Sequence, residues 1–272
     1  MRYEEFRPAE PLLQHVKCLW ILEGESTQPT SPERILPDGC TEMVFHLGDA
    51  FQQHSQNGTI DRQPLAMMVG QMKHHLLIQP TGKVSVLGVR FWPGGAYPFL
   101  RIPQHEIAGR LVALDAVLGS FGPTLHARIA DGTSSSERLR MVEQVLLARL
   151  SEFHKPDDRL SKAIQLIYQA GGCLPMDSLG KTLGVNARAL DRTFNTRVGI
   201  PPKTLCRIVR FQRVFKLLED RDAALSWPQI ALECGYYDQS HLIKEFKAFA
   251  GKEPTGYLAE QNPMSEHFIA SR

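Results

Sequence analysis

LDRTFNTRVGIPPKTL at residues 190–205 and LIKEFKAFAGKEPTGY at residues 242–257 decide the fold of the C-terminal half, because the second stretch repeats the first. They align without a gap at an offset of 52 positions. Upstream, Gly184 corresponds to Gly235 at an offset of 51, so the second copy has one extra residue near its turn. Two copies of a helix, a glycine turn and a second helix are typical of paired helix-turn-helix units, whose second helix enters a DNA groove. The matched residues are Leu190, Phe194, Gly199 and Pro202 in the first copy and Leu242, Phe246, Gly251 and Pro254 in the second.

Helical periodicity divides the second helix of each unit into a buried and an exposed face. In the first unit Leu190 and Phe194 face inward after an expected N-cap at Asn186, and the second unit repeats this plan after Asp238. The outward side chains suit base edges in the major groove, where arginine binds guanine and aspartate accepts from cytosine. The candidate DNA-contacting residues are Arg188, Asp191, Arg192 and Asn195 in the first helix and Gln239, Ser240, His241 and Lys244 in the second.

The charge distribution fits a phosphate-binding surface in the C-terminal half. The chain has a net charge of +2, to which residues 157–272 contribute +3 and residues 1–156 contribute −1. Between Arg188 and Lys216, eight basic residues stand against one acidic residue. We interpret this run as a phosphate-contacting surface, and an ordinary solvated surface is the alternative. A helix predicted over residues 203–219 would fix the separation of the two units.

The same region resembles the DNA-binding domain of the AraC/XylS family of regulators. The match is carried by ALECGYYDQSHLIKEFK at residues 231–247 and by the closing GKEPTGY at residues 251–257, and it extends over about residues 158–260. The resemblance implies a bacterial transcription regulator that reads double-stranded promoter DNA with both units and works with RNA polymerase. It implies the same DNA-contacting positions apart from Asn195, although Asp191 is an acidic residue on a face meant for DNA.

The N-terminal half predicts β structure, since short apolar runs alternate with turn sequences over residues 1–105. We expect an α+β protein of two domains: a β-rich, cupin-like barrel or sandwich with flanking helices, then an all-α domain of about seven helices. The predicted boundaries are 1–130 for the β-rich domain, 136–154 for an amphipathic connecting helix and 158–260 for the DNA-binding domain. The connecting helix could pack on its own domain or on a second copy of the chain. The predicted strands are Val16–Leu22, Glu42–Leu47, Ala66–Val69, His75–Gln79 and Val84–Phe91.

A small-molecule effector is implied for the N-terminal domain. Residues 33–40, 77–82 and 87–95 resemble an N-terminal domain found in one subgroup of AraC-like regulators, and such regulators often sense a ligand in a β-barrel. Arg90 interrupts an apolar run, and if it points inward it needs an anion from the protein or from a ligand. The alternative is a domain that binds no ligand and serves dimerisation or protein contact. The candidate ligand-binding residues are Trp20, His46, Gln71, Arg90 and Trp92.

The sequence gives little support to an enzyme or a metalloprotein. A cupin-like metal enzyme, which is the further alternative, needs several converging ligands, whereas adjacent residues such as His74 and His75 point to opposite faces of a strand. His46 and His54 lack partners at a suitable spacing. We therefore expect no metal, no cofactor and no catalysis. The five cysteines are interpreted as reduced, buried thiols.

The chain shows no membrane or export signal. No apolar run approaches the roughly 18 residues of a membrane-spanning helix, and the charged N-terminus differs from a signal peptide. We expect a cytoplasmic protein.

Overall fold

The computed structural model describes residues 1–25, 31–55, 57–152, 158–219 and 225–260. Within these ranges a β-rich region is followed by a helical region, as the sequence predicts. The strands are β1 Arg2–Phe6, β2 Val16–Glu25, β3 Glu33–Ile35, β4 Thr41–His46, β5 Gln52–His54, β6 Ile60–Arg62, β7 Ala66–Val69, β8 Leu76–Gln79, β9 Lys83–Phe91 and β10 Leu111–Ala113. The helices are α1 Tyr97–Leu100, α2 Leu114–Leu118, α3 Phe121–Ala130, α4 Ser135–Ser151, α5 Asp158–Gln169, α6 Met176–Leu183, α7 Ala187–Arg197, α8 Pro202–Glu219, α9 Trp227–Glu233, α10 Gln239–Ala250 and α11 Pro254–Leu258.

The strands form two antiparallel sheets rather than a closed barrel. One sheet has six strands in the order β1-β2-β9-β4-β7-β10, and the other has four in the order β3-β8-β5-β6. Over the described ranges no strand pairing joins the two sheets. Of the two expected architectures, the N-terminal region therefore adopts the sandwich.

The larger sheet is buried on both faces, which explains the near-continuous apolar runs of its central strands. On β2, Leu19 and Ile21 pack with α1, α3 and α4, whereas Trp20 and Leu22 pack with Leu76 and other side chains of the smaller sheet. The sheet thus lies between a helical layer and the second sheet.

Helix α4 is the expected connecting helix, and its apolar stripe packs on its own domain. The Ser134 hydroxyl accepts a hydrogen bond from the Glu137 backbone N–H and caps the helix. Leu139, Val142 and Leu146 are buried in the same core as the larger sheet. The predicted end of the connecting helix at residue 154 and the segment up to residue 157 lie outside the described residues.

Seven helices, α5 to α11, make up the C-terminal region among the described residues. From the apolar periodicity we expect helices over about residues 159–170, 176–183, 187–197, 202–219, 227–234, 239–249 and 255–260, and the observed bounds lie within about two residues of these. Phe211 and Phe215 of α8 make ring contacts with Phe246 of α10 at centroid distances of 5.2 Å and 5.5 Å. Helix α8 therefore forms the centre of the core to which both helix-turn-helix units attach. No helix in the described part of the chain is long and apolar enough to cross a bilayer.

The two regions are in direct contact, and three of the contacts involve α7, α8 and α10. The Pro37 carbonyl accepts a hydrogen bond from the Gln212 side chain of α8. The His75 backbone N–H donates to the Phe249 carbonyl of α10 at 2.7 Å. The Arg197 guanidinium at the end of α7 lies over the Tyr97 ring, 5.3 Å from its centroid.

Candidate nucleic-acid interface

Each helix-turn-helix unit is built from a glycine turn and a side-chain cap. In the first unit Gly184 ends α6 with a φ of +64°, and Asn186 Oδ1 accepts from the Ala189 backbone N–H at 2.8 Å. In the second unit Gly235 has a φ of +76°, and Asp238 Oδ1 accepts from the His241 backbone N–H at 2.7 Å. Glycine takes this left-handed conformation at little cost, so both turns aim the following helix in a defined direction.

The outward faces of α7 and α10 carry the residues expected to contact DNA. On α7, Arg188, Asp191 and Arg192 are exposed and Asn195 is half-buried. On α10, Ser240 and Lys244 are exposed, and Gln239 and His241 are half-buried. The inward residues Leu190, Phe194, Leu242 and Phe246 are buried in the helical core.

His241 has a second role within its own unit. Its Nδ1 lies 3.3 Å from the Tyr237 backbone N–H, which donates to it, and its ring meets the Tyr236 ring edge-on at 5.3 Å. Because Nδ1 accepts this hydrogen bond, Nε2 carries the ring proton and is the donor left for an outside acceptor. The orientation of the ring is therefore fixed before any partner binds.

The basic run is divided among several environments, so only part of it is available to phosphate. Arg207 donates to both Glu245 carboxylate oxygens, at 2.7 Å and 2.9 Å. Arg210 lies over the Tyr236 ring at 5.4 Å, and Arg213 and Lys216 line a cavity between the two regions. Successive basic residues on α8 fall on different helical faces, so the run cannot form a single strip. Arg188, Arg192 and Lys203 remain exposed.

An exposed aromatic residue that the sequence pattern did not single out lies beside α10. The Tyr237 side chain is 87% exposed in the turn before α10. The sequence signal for this exposure is the position of Tyr237, which follows the turn glycine Gly235 and directly precedes the N-cap Asp238. An exposed ring here lies at the edge of the surface formed by Gln239, Ser240 and Lys244.

Arg90 points inward, and the protein itself supplies its anions. Its Nε donates to Glu42 Oε1 at 2.6 Å and lies 3.7 Å from Asp38 Oδ2. Burial raises the pKa of Glu42 despite Arg90. For Asp38 burial also acts to raise the pKa, but the charges of Arg90 and Lys17 and the hydrogen bonds from Cys40 together lower it. A ligand carboxylate is not needed to balance this buried guanidinium.

The other candidate ligand residues lie in different places. Trp20 and His46 line a cavity of about 60 Å³ inside the sandwich. Gln71 donates from its side chain to the Gly39 carbonyl, and Trp92 lines the cavity between the two regions. Burial lowers the pKa of His46 to about 4, and its Nε2 is 3.0 Å from Gln63 Oε1. The five residues therefore do not share one pocket.

The histidines considered for metal binding do not gather into a site. His74 and His75 precede β8 rather than beginning it, and His74 Nδ1 donates to the Ala248 carbonyl at 2.9 Å. Among the described residues no group of three His, Cys, Asp or Glu side chains could hold a metal ion. Four cysteines are buried as expected, but Cys173 is exposed in the turn after α5.

Comparison with known proteins identifies two domains. Residues 179–260 match the model of a helix-turn-helix domain, and residues 4–113 match a domain of unknown function, DUF6597. No curated protein sequence matches the chain.

Among solved structures, ToxT from Vibrio cholerae is 12% identical, with a TM-score of 0.46 over 88% of this chain and 97% of ToxT. A ToxT complex with (E)-4-(8-methylnaphthalen-1-yl)but-3-enoic acid is 13% identical, with a TM-score of 0.48 over 88% of this chain and 98% of that one. The AraC-like transcriptional activator CuxR is 13% identical, with a TM-score of 0.24 over 75% of this chain and 77% of its own.

Proposed function

We propose that this chain, which carries an AraC-type helix-turn-helix domain at residues 179–260 behind a DUF6597 domain at residues 4–113, is a sequence-specific regulator of transcription. The observation that best supports this function is that two capped helices, α7 and α10, present exposed polar faces from one packed helical core. A single unit of this kind places one helix in a major groove, and two units on one core can contact two groove segments.

The two recognition helices, α7 and α10, are called the readers below, and their exposed side chains differ in chemistry. On α7, Arg188 and Arg192 each offer a planar pair of donors suited to guanine O6 and N7, and Asp191 can accept from cytosine N4. On α10, Gln239 can bind adenine through two hydrogen bonds, Ser240 can bond to either partner, and His241 offers Nε2–H as a donor. Lys244 is suited to a phosphate. We assign base reading to the α7 set and mixed base and phosphate contact to the α10 set.

The N-terminal domain supports both readers without covering them. It contacts the end of α7 through Tyr97 and the end of α10 through His74 and His75. Arg188, Arg192 and Lys244 remain exposed with the N-terminal domain in place. We propose that this domain adjusts the readers in response to a small molecule. A purely structural role in dimerisation or protein contact is the second candidate, favoured by the small volume of the cavity inside the sandwich.

The proposal places the protein at bacterial promoters in the cytoplasm, together with RNA polymerase, and assigns it no catalytic role. Selection of binding sites from randomised double-stranded DNA by the full-length protein tests the function. We expect an enriched site with two conserved segments, and footprinting of the DNA upstream of its own gene should protect such a site. No enrichment after repeated rounds, with folded protein at low salt, would contradict sequence-specific binding.

A further inference from the structure

The C-terminal end of α10 is capped by groups of the N-terminal domain. The last four carbonyl groups of an α-helix have no partner inside the helix. In α10 the first of these, at Lys247, accepts from the Gly251 backbone N–H at 2.8 Å. The other three accept from the N-terminal domain: Ala248 from His74 Nδ1 at 2.9 Å, Phe249 from the His75 backbone N–H at 2.7 Å, and Ala250 from Arg34 Nη1 at 3.3 Å. These three donors are called the α10 cap below.

Charge and shape are also complementary at the α10 cap. Arg34 places a positive charge at the C-terminal end of the helix, where the helix dipole is negative, and it donates to Glu260 at 3.1 Å. Burial and the charge of Arg34 lower the pKa of His75 to about 4, so its ring is neutral at pH 7. Gly251 leaves room for this ring, because a Cβ there would lie 2.3 Å from His75 Cε1. The contact is therefore specific in its chemistry and in its shape.

The equivalent end of α7 contacts the same domain. Gly199 and Gly251 occupy matching positions of the repeat, and both have positive φ, of +95° and +74°. A Cβ at Gly199 would lie 2.9 Å from the carbonyl oxygen of Gln104, which belongs to a short 3-10 helix of the N-terminal domain. Next to this contact, Arg197 lies over the Tyr97 ring. The N-terminal domain thus meets the C-terminal ends of both readers at equivalent points of the repeat.

A small rotation at the capped end of α10 has a large effect at the bases. The helix runs from Gln239 to Ala250, so about 16 Å separates its DNA-facing end from its capped end. A rotation of about 10° about the capped end moves Gln239 by about 3 Å, which is close to the roughly 3.4 Å rise of one base pair. The hydrogen bonds of the α10 cap therefore affect which base pair α10 meets relative to α7.

We propose that the N-terminal domain holds the two readers at a fixed distance and thereby sets the number of base pairs between the two segments of the DNA site. Arg34 and His74 are positioning residues for α10, and the contacts of Gln104 and Tyr97 hold the end of α7. Helix α8 joins the readers through their buried sides, and the N-terminal domain joins their ends. The inference deepens the proposed function and rests on it, because it assigns spacing specificity to residues outside the base-contacting faces.

Hydrogen exchange of the full-length protein without DNA tests the α10 cap directly. The double variant Arg34→Met/His74→Ala loses both side-chain donors, so the amides of α10 should exchange at least about fivefold faster while those of α7 keep their wild-type rates. The conservative variant Arg34→Lys/His74→Asn keeps a donor at each position and should restore most of the protection. Unchanged exchange in α10 of the folded double variant, or equally faster exchange in both readers, would overturn the proposal.

Arg62→Met is the matched control for these variants. Arg62 is an exposed arginine on β6, which lies at the opposite edge of the small sheet from β3, the strand that carries Arg34. The control should exchange like the wild type in both readers. Thermal unfolding shows whether each variant folds. Faster exchange of α10 in Arg62→Met would attribute the effect to a general loss of stability and would contradict the role of the α10 cap.

Binding to DNA with altered spacing tests the consequence for recognition. The wild type should bind the selected spacing at least about tenfold more tightly than spacings one base pair shorter or longer, since α7 and α10 are held at one separation. The double variant should reduce this ratio to below about threefold, because α10 can then follow its segment. Tyr97→Leu, which removes the ring beneath Arg197, should also lower the ratio. DNA that carries only the α7 segment should bind the wild type and the double variant equally.

The ratio between spacings separates positioning from a loss of folded protein. Partial unfolding weakens binding at every spacing by the same factor and leaves the ratio as it is. An unchanged ratio in the folded double variant, or equal binding of the wild type at all three spacings, would overturn the proposal. A wild type that selects no DNA site would instead refute the proposed function, and hydrogen exchange would still decide whether the α10 cap holds the helix.

Discussion

Arg192 is the residue at which base reading can be tested most directly. Its side chain is exposed on α7, beside the buried Leu190 that fixes the rotation of the helix. If Arg192 binds a guanine through two hydrogen bonds, Arg192→Ala should cost about 1–3 kcal/mol on the selected site and relax the preference at one base pair. Fluorescence anisotropy with the selected site and its single-base variants measures both effects. Equal affinities of wild type and variant for every sequence would refute base reading by Arg192.

Lys244 should behave differently because an ammonium that meets phosphate carries no sequence information. Lys244→Ala should weaken binding to all DNA sequences by a similar factor and reduce the slope of log affinity against log salt by about 1. Titrations at several salt concentrations, with selected and unrelated DNA, measure this slope. A change confined to the selected site would instead assign Lys244 to a base.

Because His46 is buried, we expect the folded protein to lose stability in mild acid. It is buried and its pKa is lowered to about 4, so between pH 6.5 and pH 4 the unfolded chain binds more protons than the folded one. Stability is therefore full above pH 6.5 and falls as the pH drops toward 4, by on the order of 1–2 kcal/mol at pH 5 from this residue. His46→Gln should reduce the difference between urea unfolding at pH 7 and pH 5. An unchanged difference would show that other groups cause it.

At the residue scale, the sequence predicted features that depend on near neighbours. The caps Asn186 and Asp238 depend on the next three residues, and both cap hydrogen bonds are present. The partners of Arg90 could not be identified, because Glu42 lies 48 positions away and meets it only through the pairing of β4 with β9. The exposure of Cys173 likewise depends on the packing of its turn.

Turns between helices determine how the elements pack. Two turn glycines with the same left-handed backbone conformation allow the effect of packing to be measured separately. Gly172 and Gly184 both have positive φ, of +75° and +64°. A Cβ at Gly172 would lie 2.2 Å from the Cys206 carbonyl oxygen of α8, whereas a Cβ at Gly184 would meet nothing within 4 Å. Both alanine variants carry the left-handed strain of about 1–2 kcal/mol. Gly172→Ala should therefore be less stable than Gly184→Ala by about 1–3 kcal/mol, the usual cost of overpacking.

Chemical denaturation of the two variants under one condition measures this difference. Equal losses of stability would mean that the turn after α5 can move away from α8 without cost. Such movement would also change the lining of the interdomain cavity, since Gly171 lies in the same turn.

At the element scale, the connecting helix, the C-terminal helices and the long strands were predictable and the short polar strands were not. The apolar runs on β2, β4 and β9 and the i, i+4 pairs of α7 and α10 mark buried faces strongly. By contrast, β5 reads QQH and β6 reads IDR, and their identity as strands comes from pairing with each other and with β8. No local pattern encodes that pairing.

On the scale of the whole molecule, the features that sequence periodicity could not reveal are those made by domain packing. The interdomain cavity combines Lys17, Asp38 and Trp92 with a face of α8 more than 100 positions later. The division of the basic run also depends on this packing, since Arg213 and Lys216 turn toward the N-terminal domain. The run alone predicts a wider DNA-binding surface than the fold presents.

The two readers of one chain suit an asymmetric DNA site. Helix α8 has 18 residues and is about 27 Å long at 1.5 Å per residue, and it joins the two units through one core. Successive major-groove segments on one face of DNA are about 34 Å apart, so binding both requires the units at that spacing or a bend in the DNA. We predict that one protomer occupies the selected site and protects two segments about one helical turn apart.

Native mass spectrometry of the protein with selected DNA should then give one chain per duplex. Replacing either segment with unrelated sequence should lower the affinity, and the two replacements should have unequal effects because the readers differ in chemistry. Inserting five base pairs between the segments turns one of them to the opposite face of the duplex, so it should weaken binding as much as losing a segment does. A complex of two chains on a palindromic site would instead favour the homodimer, in which each protomer contributes a reader to one half-site.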